Sequence, residues 1–137
     1  IAALLHDIGK IGIPEKILNK EAPLTADEWK IMKEHPVIGA TILQSISELE
    51  HVILGVKYHH ERYDGTGYPE GLNNGNIPMH AAIIAVADSF DAMTTDRPYR
   101  KAKNVEESVK EIESLSGKQF HPNVASALVQ LYNEGSI

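Results

Sequence analysis

A single carboxylate interrupts the run Ala81-Ala82-Ile83-Ile84-Ala85-Val86-Ala87-Asp88-Ser89-Phe90. A helix so apolar around its circumference is expected to be buried and to carry Asp88 inward with it. Left unpaired there, the carboxylate costs several kcal/mol of desolvation, comparable with the net stability of a whole domain, so Asp88 needs a cation or a proton. The rest of the chain offers partners for a cation. His6-Asp7, His35 and His59-His60 lie in contexts that also point inward, and imidazole with carboxylate is the ligand chemistry of divalent transition metals.

Composition narrows that chemistry. A chain of 137 residues suits one domain with one core. With no cysteine, neither disulfides nor thiolate ligation is available, any metal is held by nitrogen and oxygen, and a reducing compartment, the cytoplasm, is expected. No apolar run approaches the roughly 18 to 20 residues that span a bilayer, so no membrane segment is expected in this chain. The formal net charge of -6 argues against DNA as a partner, because non-specific phosphate binding depends on clustered Lys and Arg. A phosphorylated small molecule stays open, since two bound divalent ions offset about four negative charges and turn one region positive. The chain opens on Ile1-Ala2-Ala3-Leu4-Leu5 in mid-pattern with no cap before it, and is expected to be part of a longer polypeptide.

Thr25-Ala26-Asp27-Glu28 is a capping box, flanked by Leu24 and Trp29 as a hydrophobic staple. Ahead of it, Gly9 to Pro23 reads as an irregular connection after a helix that ends near Asp7. Pro36 disfavours helical backbone at His35 and suits the first turn of a new helix, which puts His35 at a junction. From about Ser47 to His60, Val52, Val56 and then His59 or His60 continue one buried face into the tandem histidines. Residues 61 to 78, with Gly65, Gly67, Pro69, Gly71, Gly75 and Pro78, form a loop long enough to be functional. The Asp88 helix runs to about Met93. Two amphipathic helices follow, one behind an Asn104 cap and one with Pro122 in its first turn. No apolar-polar alternation is long enough for a sheet, and the fold class is all-α, a multi-helix bundle.

Neighbours on a helix point about 100° apart, so a single metal rarely takes both members of an adjacent pair whereas two metals side by side can. The pairs His6-Asp7 and His59-His60 therefore imply a multinuclear centre, with Asp7 able to bridge because a carboxylate has two oxygens. His35 and Asp88 fill further positions. Metals about 3.5 to 4 Å apart clamp the attacking and leaving oxygens of a phosphoryl displacement, which makes phosphoester hydrolysis the natural reaction. His51, His80 and His121 are the contrast: the first falls off the buried face, the second opens a helix and the third precedes Pro122 at a helix start.

Four strings then carry a resemblance: His6-Asp7-Ile8-Gly9-Lys10, His35-Pro36-Val37-Ile38-Gly39, His59-His60-Glu61-Arg62-Tyr63-Asp64-Gly65-Thr66-Gly67-Tyr68-Pro69, and Ile84 to Thr94 around Asp88. Over essentially the whole chain they closely resemble the HD-GYP domain, a subgroup of the HD phosphohydrolases, and the third string is highly specific. The resemblance implies an all-α bundle of the HD-domain type holding two or three divalent metal ions, iron first and manganese as the alternative. It implies hydrolysis of cyclic di-GMP to linear pGpG, GMP or both, as the output domain of a bacterial signalling protein. Position by position it implies metal ligation by His6, Asp7, His35, His59, His60 and Asp88, with Asp7 bridging and catalytic. Lys10 matches a catalytic and substrate-binding group near the scissile phosphate, though residue type alone makes it a loop lysine. Asp91, Arg97 and Arg100 match positions along the substrate; Asp91 is equally a partner of the ligands or a helix cap, and Arg100 stands where relatives commonly carry lysine. Tyr68 is read as stacking on a base or touching a partner domain, while a structural loop accounts for most of Gly67-Tyr68-Pro69.

Relatives carry a further histidine, and in a three-metal subset a glutamate, on helices before the HD pair. Residues 1–137 are thus read as an HD-GYP domain lacking its first helices, with an apolar face near Ile1 to Leu5 bared for a homodimer. Two other readings stand beside the enzyme. One is an inactive module acting through protein-protein contacts, for example with diguanylate cyclase (GGDEF) domains; the other is a hydrolase of another cyclic dinucleotide or of a nucleotide. Degenerate members lose ligands, and every downstream ligand position is filled here, which favours the enzyme.

Overall fold

Helix boundaries follow from capping chemistry. The computed structural model describes residues 1–97 and 100–137, and its helices are α1 (Ala2–Leu5), α2 (Glu15–Leu18), α3 (Ala26–Met32), α4 (His35–Leu43), α5 (Glu50–Tyr58), α6 (Met79–Thr94), α7 (Val105–Ser114) and α8 (Pro122–Asn133). Among the described residues there is no β-strand, only isolated bridges such as Asp64 with Asn73, and the all-α class holds. Thr25 accepts the amide of Glu28 and Glu28 accepts that of Thr25, so the capping box starts α3 as expected. Asn104 accepts the Glu107 amide at the start of α7, and His121 caps α8 by accepting the Asn123 amide ahead of Pro122. α4 begins at His35 with Pro36 in its first turn.

α6 joins the two halves of the core. Its Val86 and Met93 meet Ile112 of α7, Ala125 of α8 and Phe120, while Ala81 and Ala82 pack with Ile77 and Tyr58. Leu43 of α4 forms a separate cluster with Val52 and Val56 of α5, against which Ala2, Leu5 and Ile8 pack. Leu43 and Ile112 are fully buried, and each such side chain contributes about 2 kcal/mol. The Leu43 cluster matters most for function, because it packs α1 and the turn after it against α4 and α5. Gly9 allows the closest approach: a Cβ there would meet the His35 carbonyl and stand 2.5 Å from the Gly39 nitrogen. The 3₁₀ turn Ile8–Gly12 thus lies directly on the α4 backbone.

Two expectations are corrected. α6 is not buried around its circumference, since Met79 is 46% and Ile83 51% exposed. Helices pack on two of its sides, and the line Met79, Ile83, Ala87 has no cover among the described residues. Asp88 accordingly lies half-buried at the edge of a cleft. The connection from Gly9 to Pro23 is not wholly irregular either, as it contains the end of a 3₁₀ turn and α2. No helix among the described residues is long and apolar enough to cross a membrane.

The long loop between α5 and α6 is held from inside. Glu61 is buried, and its two side-chain oxygens accept the backbone amides of Glu70 at 2.8 Å and Leu72 at 2.9 Å. The Tyr68 amide donates to the His60 carbonyl at 3.2 Å. Gly67 presses on the same stretch, where a Cβ would stand 2.6 Å from both Glu61 Cα and the His60 carbonyl. Glu61→Gln turns one acceptor into a donor facing a buried amide, so it is expected to destabilise the fold by about 2 kcal/mol. A thermal melt matching the wild type would show that the clamp contributes nothing.

Candidate metal centre

A helix leaves its last carbonyls without partners inside the helix, and three histidines use them. His6 follows α1 and its Nδ1 donates to the Ala3 carbonyl at 2.6 Å. His59 follows α5 and donates to Val56 at 2.7 Å, and His35 donates to Met32, the last residue of α3, at 2.7 Å. A carbonyl only accepts, so Nδ1 carries the hydrogen, and wherever the ring is neutral its Nε2 keeps a lone pair for something else. This is the outer support that metal-ligating histidines commonly have. His60 is held differently: its ring stacks on Tyr68 with centroids 4.8 Å apart and 22° between the planes.

The free donors converge. His6 Nε2 lies 3.4 Å from Asp7 Oδ2 and 3.6 Å from Asp88 Oδ1, and His35 Nε2 lies 3.4 Å from Asp7 Oδ1. One donor atom each from His35, His59 and His60 falls within 4.8 Å of the others, and the same holds for His6, Asp7 and His59. His59 belongs to both groups, and Asp7 turns one oxygen toward each side. Among the described residues the Nε2 atoms of His35 and His59 are buried without a hydrogen-bond partner, an arrangement that is expensive unless a cation takes their lone pairs. Nitrogen and oxygen donors around orphaned buried lone pairs fit a divalent ion.

Electrostatics agree with that fit. Burial lowers the pKa of His59 to about 4 and that of His60 to about 3, and it lowers that of His35, so all three rings are neutral at pH 7 as ligation requires. His6 differs, because hydrogen bonds to Asp7 and then Asp88 raise it to about 10. For Asp7, burial works upward but is outweighed by His6 and Lys10, which hold it far below the usual carboxylate range; Asp88 is lowered chiefly by His6. A proton on His6 therefore sits between two carboxylates, where a divalent ion would meet the same charge requirement.

Asp7, His35, His60 and Asp88 line one wall of a cavity of about 460 Å³, within the size range of small-molecule sites. Lys10 and Arg97 line it too, and Lys10 Nζ donates to Asp7 Oδ2 at 2.6 Å. Tyr68 borders the cavity with one ring face against His60 and the Lys33 ammonium 5.4 Å from its centroid; burial, with Asp7 and Asp88 nearby, raises its pKa. Asp91, one turn beyond Asp88, is exposed, takes a hydrogen bond from the Thr95 hydroxyl at 3.4 Å and does not line this cavity. Arg100 pairs with Arg97 through the backbone, each amide donating to the other's carbonyl at 2.9 Å and 3.0 Å, but its side chain does not line this cavity. Its guanidinium donates to the Ala92 carbonyl near the end of α6 and lines a separate hollow with Glu111 and Phe120. Glu61 was not singled out from sequence, although a glutamate directly after tandem histidines at a helix end was the available signal.

The family model of the HD domain matches residues 1–124. The chain belongs to the HD domain family. Among curated relatives of this HD domain, a cyclic di-GMP phosphodiesterase of Thermotoga maritima is 53% identical over 136 residues, covering 97% of the chain and 37% of the relative. The cyclic di-GMP phosphodiesterase response regulator RpfG of Xanthomonas campestris is 43% identical over 133 residues, covering 95% and 35%. The chain thus spans little more than a third of the length of these two proteins. A crystal structure of a cyclic GMP-AMP-specific phosphodiesterase of Vibrio cholerae superposes with a TM-score of 0.73 at 21% identity, over 96% of this HD domain and 37% of that chain, a likeness of fold.

Proposed function

We propose that the chain is the hydrolase domain of an HD-GYP protein without its first helices, and that the whole protein is a cytoplasmic, metal-dependent cyclic di-GMP phosphodiesterase. The observation that carries this reading is the pair of three-donor groups sharing His59, with Asp7 reaching toward both. The names and identities of the two sequence relatives support the substrate. His6, Asp7, His35, His59, His60 and Asp88 would hold two or three divalent ions, iron first and manganese second. When bound, such ions supply water activation and charge neutralisation at the phosphoryl oxygens.

The residues themselves do the rest. Three carbonyl-anchored rings and the His60-Tyr68 stack hold the donors in place without reorganisation at the moment of reaction. Water oxygen bonds to phosphorus as the phosphorus-to-O3′ bond breaks; the water gives up one proton and the leaving oxygen takes one, so no net proton is consumed. In this reading the Lys10 ammonium, tethered by Asp7, stabilises the phosphoryl charge or gives that proton. Arg97, exposed at the cleft wall, reads phosphate or a guanine edge through its fork of donors. Arg97→Ala is expected to raise KM for cyclic di-GMP roughly tenfold, the equivalent of one charge-assisted hydrogen bond, with little change in melting temperature. Unchanged kinetics would remove Arg97 from the pocket. The function itself is tested by elemental analysis of anaerobically purified protein together with cyclic di-GMP turnover. Protein that retains neither iron nor manganese and cleaves nothing after loading with each would overturn the reading.

A further inference from the structure

The cavity also has a lining with a different chemistry. Leu18, Leu24, Trp29 and Met32 border it together with the donors, carried on α2, α3 and the turn between them. No residue of α3 is buried, and none of these four side chains joins the buried core clusters among the described residues. Trp29 stays 48% and Leu18 38% exposed. A hydrophobic staple accounts for Leu24 meeting Trp29, but it does not account for four large apolar side chains lining the same cleft as histidines and carboxylates. Apolar surface retained at a polar site is the mark of a ligand with an apolar face.

The turn that presents this wall is fixed in advance. Glu28 Oε2 accepts the Thr25 amide at 2.8 Å and the Lys20 ammonium at 2.5 Å, and Thr25 closes the capping box from the other side. An aromatic platform held this way loses little freedom on binding.

We infer that Trp29, with Leu18, Leu24 and Met32, forms a nucleobase subsite, in which a purine of the substrate lies against the indole while its phosphate faces Asp7, His35 and His60. The inference rests on the phosphodiester reading above and adds to it the part of the molecule that recognises a base. A planar heterocycle joined to a phosphate matches both kinds of lining at once, and stacking on an aromatic ring is available to any base.

Trp29 is the sole tryptophan of the chain, so indole emission reports this wall alone. Titration with GMP is expected to quench it saturably, and ribose 5-phosphate, which has the phosphate without the base, is expected to leave it unquenched. In Trp29→Leu, which keeps an apolar staple partner for Leu24, the ratio of kcat/KM for cyclic di-GMP to that for bis(4-nitrophenyl) phosphate should fall roughly tenfold, while Trp29→Phe should restore most of it. Equal quenching by ribose 5-phosphate, no quenching by GMP, or an unaltered ratio in Trp29→Leu would overturn the subsite. Quenching by GMP in a protein that does not cleave cyclic di-GMP would keep the subsite and sink the substrate reading instead.

Discussion

Replacing Asp7 with asparagine is expected to lower metal-dependent turnover of cyclic di-GMP roughly 1000-fold and to reduce the metal bound per chain, while leaving the fold in place. Among the described residues Asp7 is the one whose two oxygens approach different histidines, Oδ2 at 3.4 Å from His6 and Oδ1 at 3.4 Å from His35. It also takes the Lys10 ammonium at 2.6 Å. Asparagine keeps the shape but loses the charge, and its amide nitrogen can neither ligate a cation nor accept from Lys10. Since Asp7 is half-exposed and belongs to none of the core clusters, the melting curve should hardly move. The separation of the two readouts is what makes the experiment decisive. Elemental analysis and a turnover assay on the same preparation check it, and a variant with full metal content and turnover within tenfold of the wild type would overturn the proposal that Asp7 is a metal ligand.

The site's residue types were legible from the chain alone because ligation chemistry is carried by side-chain identity. His6-Asp7, His35 and His59-His60 stand out as donors, and the structure brings them together with Asp88. The device that aims them was not legible. Each Nδ1 anchor depends on the residue at which a helix stops, and boundaries read from sequence are uncertain by a residue or two. The exposed line of α6 was misread for a related reason: apolar composition says that a helix seeks cover, whereas the number of sides covered is decided by neighbouring elements. Arg100 shows the same limit at one residue. Its backbone pairs with that of Arg97, yet the Ala92 carbonyl near the end of α6 takes its guanidinium. Glu61, likewise, has no role legible from its type alone; the loop that folds over it supplies two amides.

Gly9→Ala is expected to be the most destabilising single methyl in the chain, at about 3 kcal/mol or more, because its Cβ meets backbone on both sides. The new carbon would run into the His35 carbonyl and stand 2.5 Å from the Gly39 nitrogen and 2.8 Å from the His35 carbonyl carbon. None of these atoms ends a flexible side chain, so relief requires the 3₁₀ turn Ile8–Gly12 to lift from α4. That movement separates Asp7 from His35, whose contact at 3.4 Å crosses the same junction. Stability and metal affinity should therefore fall together, with the melting temperature dropping by roughly 10 °C or more for a domain of this size. Gly12→Ala is the internal comparison. Its Cβ would meet only the Ile38 side chain, at 3.0 Å and 3.1 Å, which can turn aside at a cost of about 1 kcal/mol or less. Thermal melts of the two variants with and without manganese check the ordering. A Gly9→Ala protein as stable as Gly12→Ala would show that the turn carrying His6 and Asp7 is not held by close backbone contact, and the geometry that links the two donor groups would need another source.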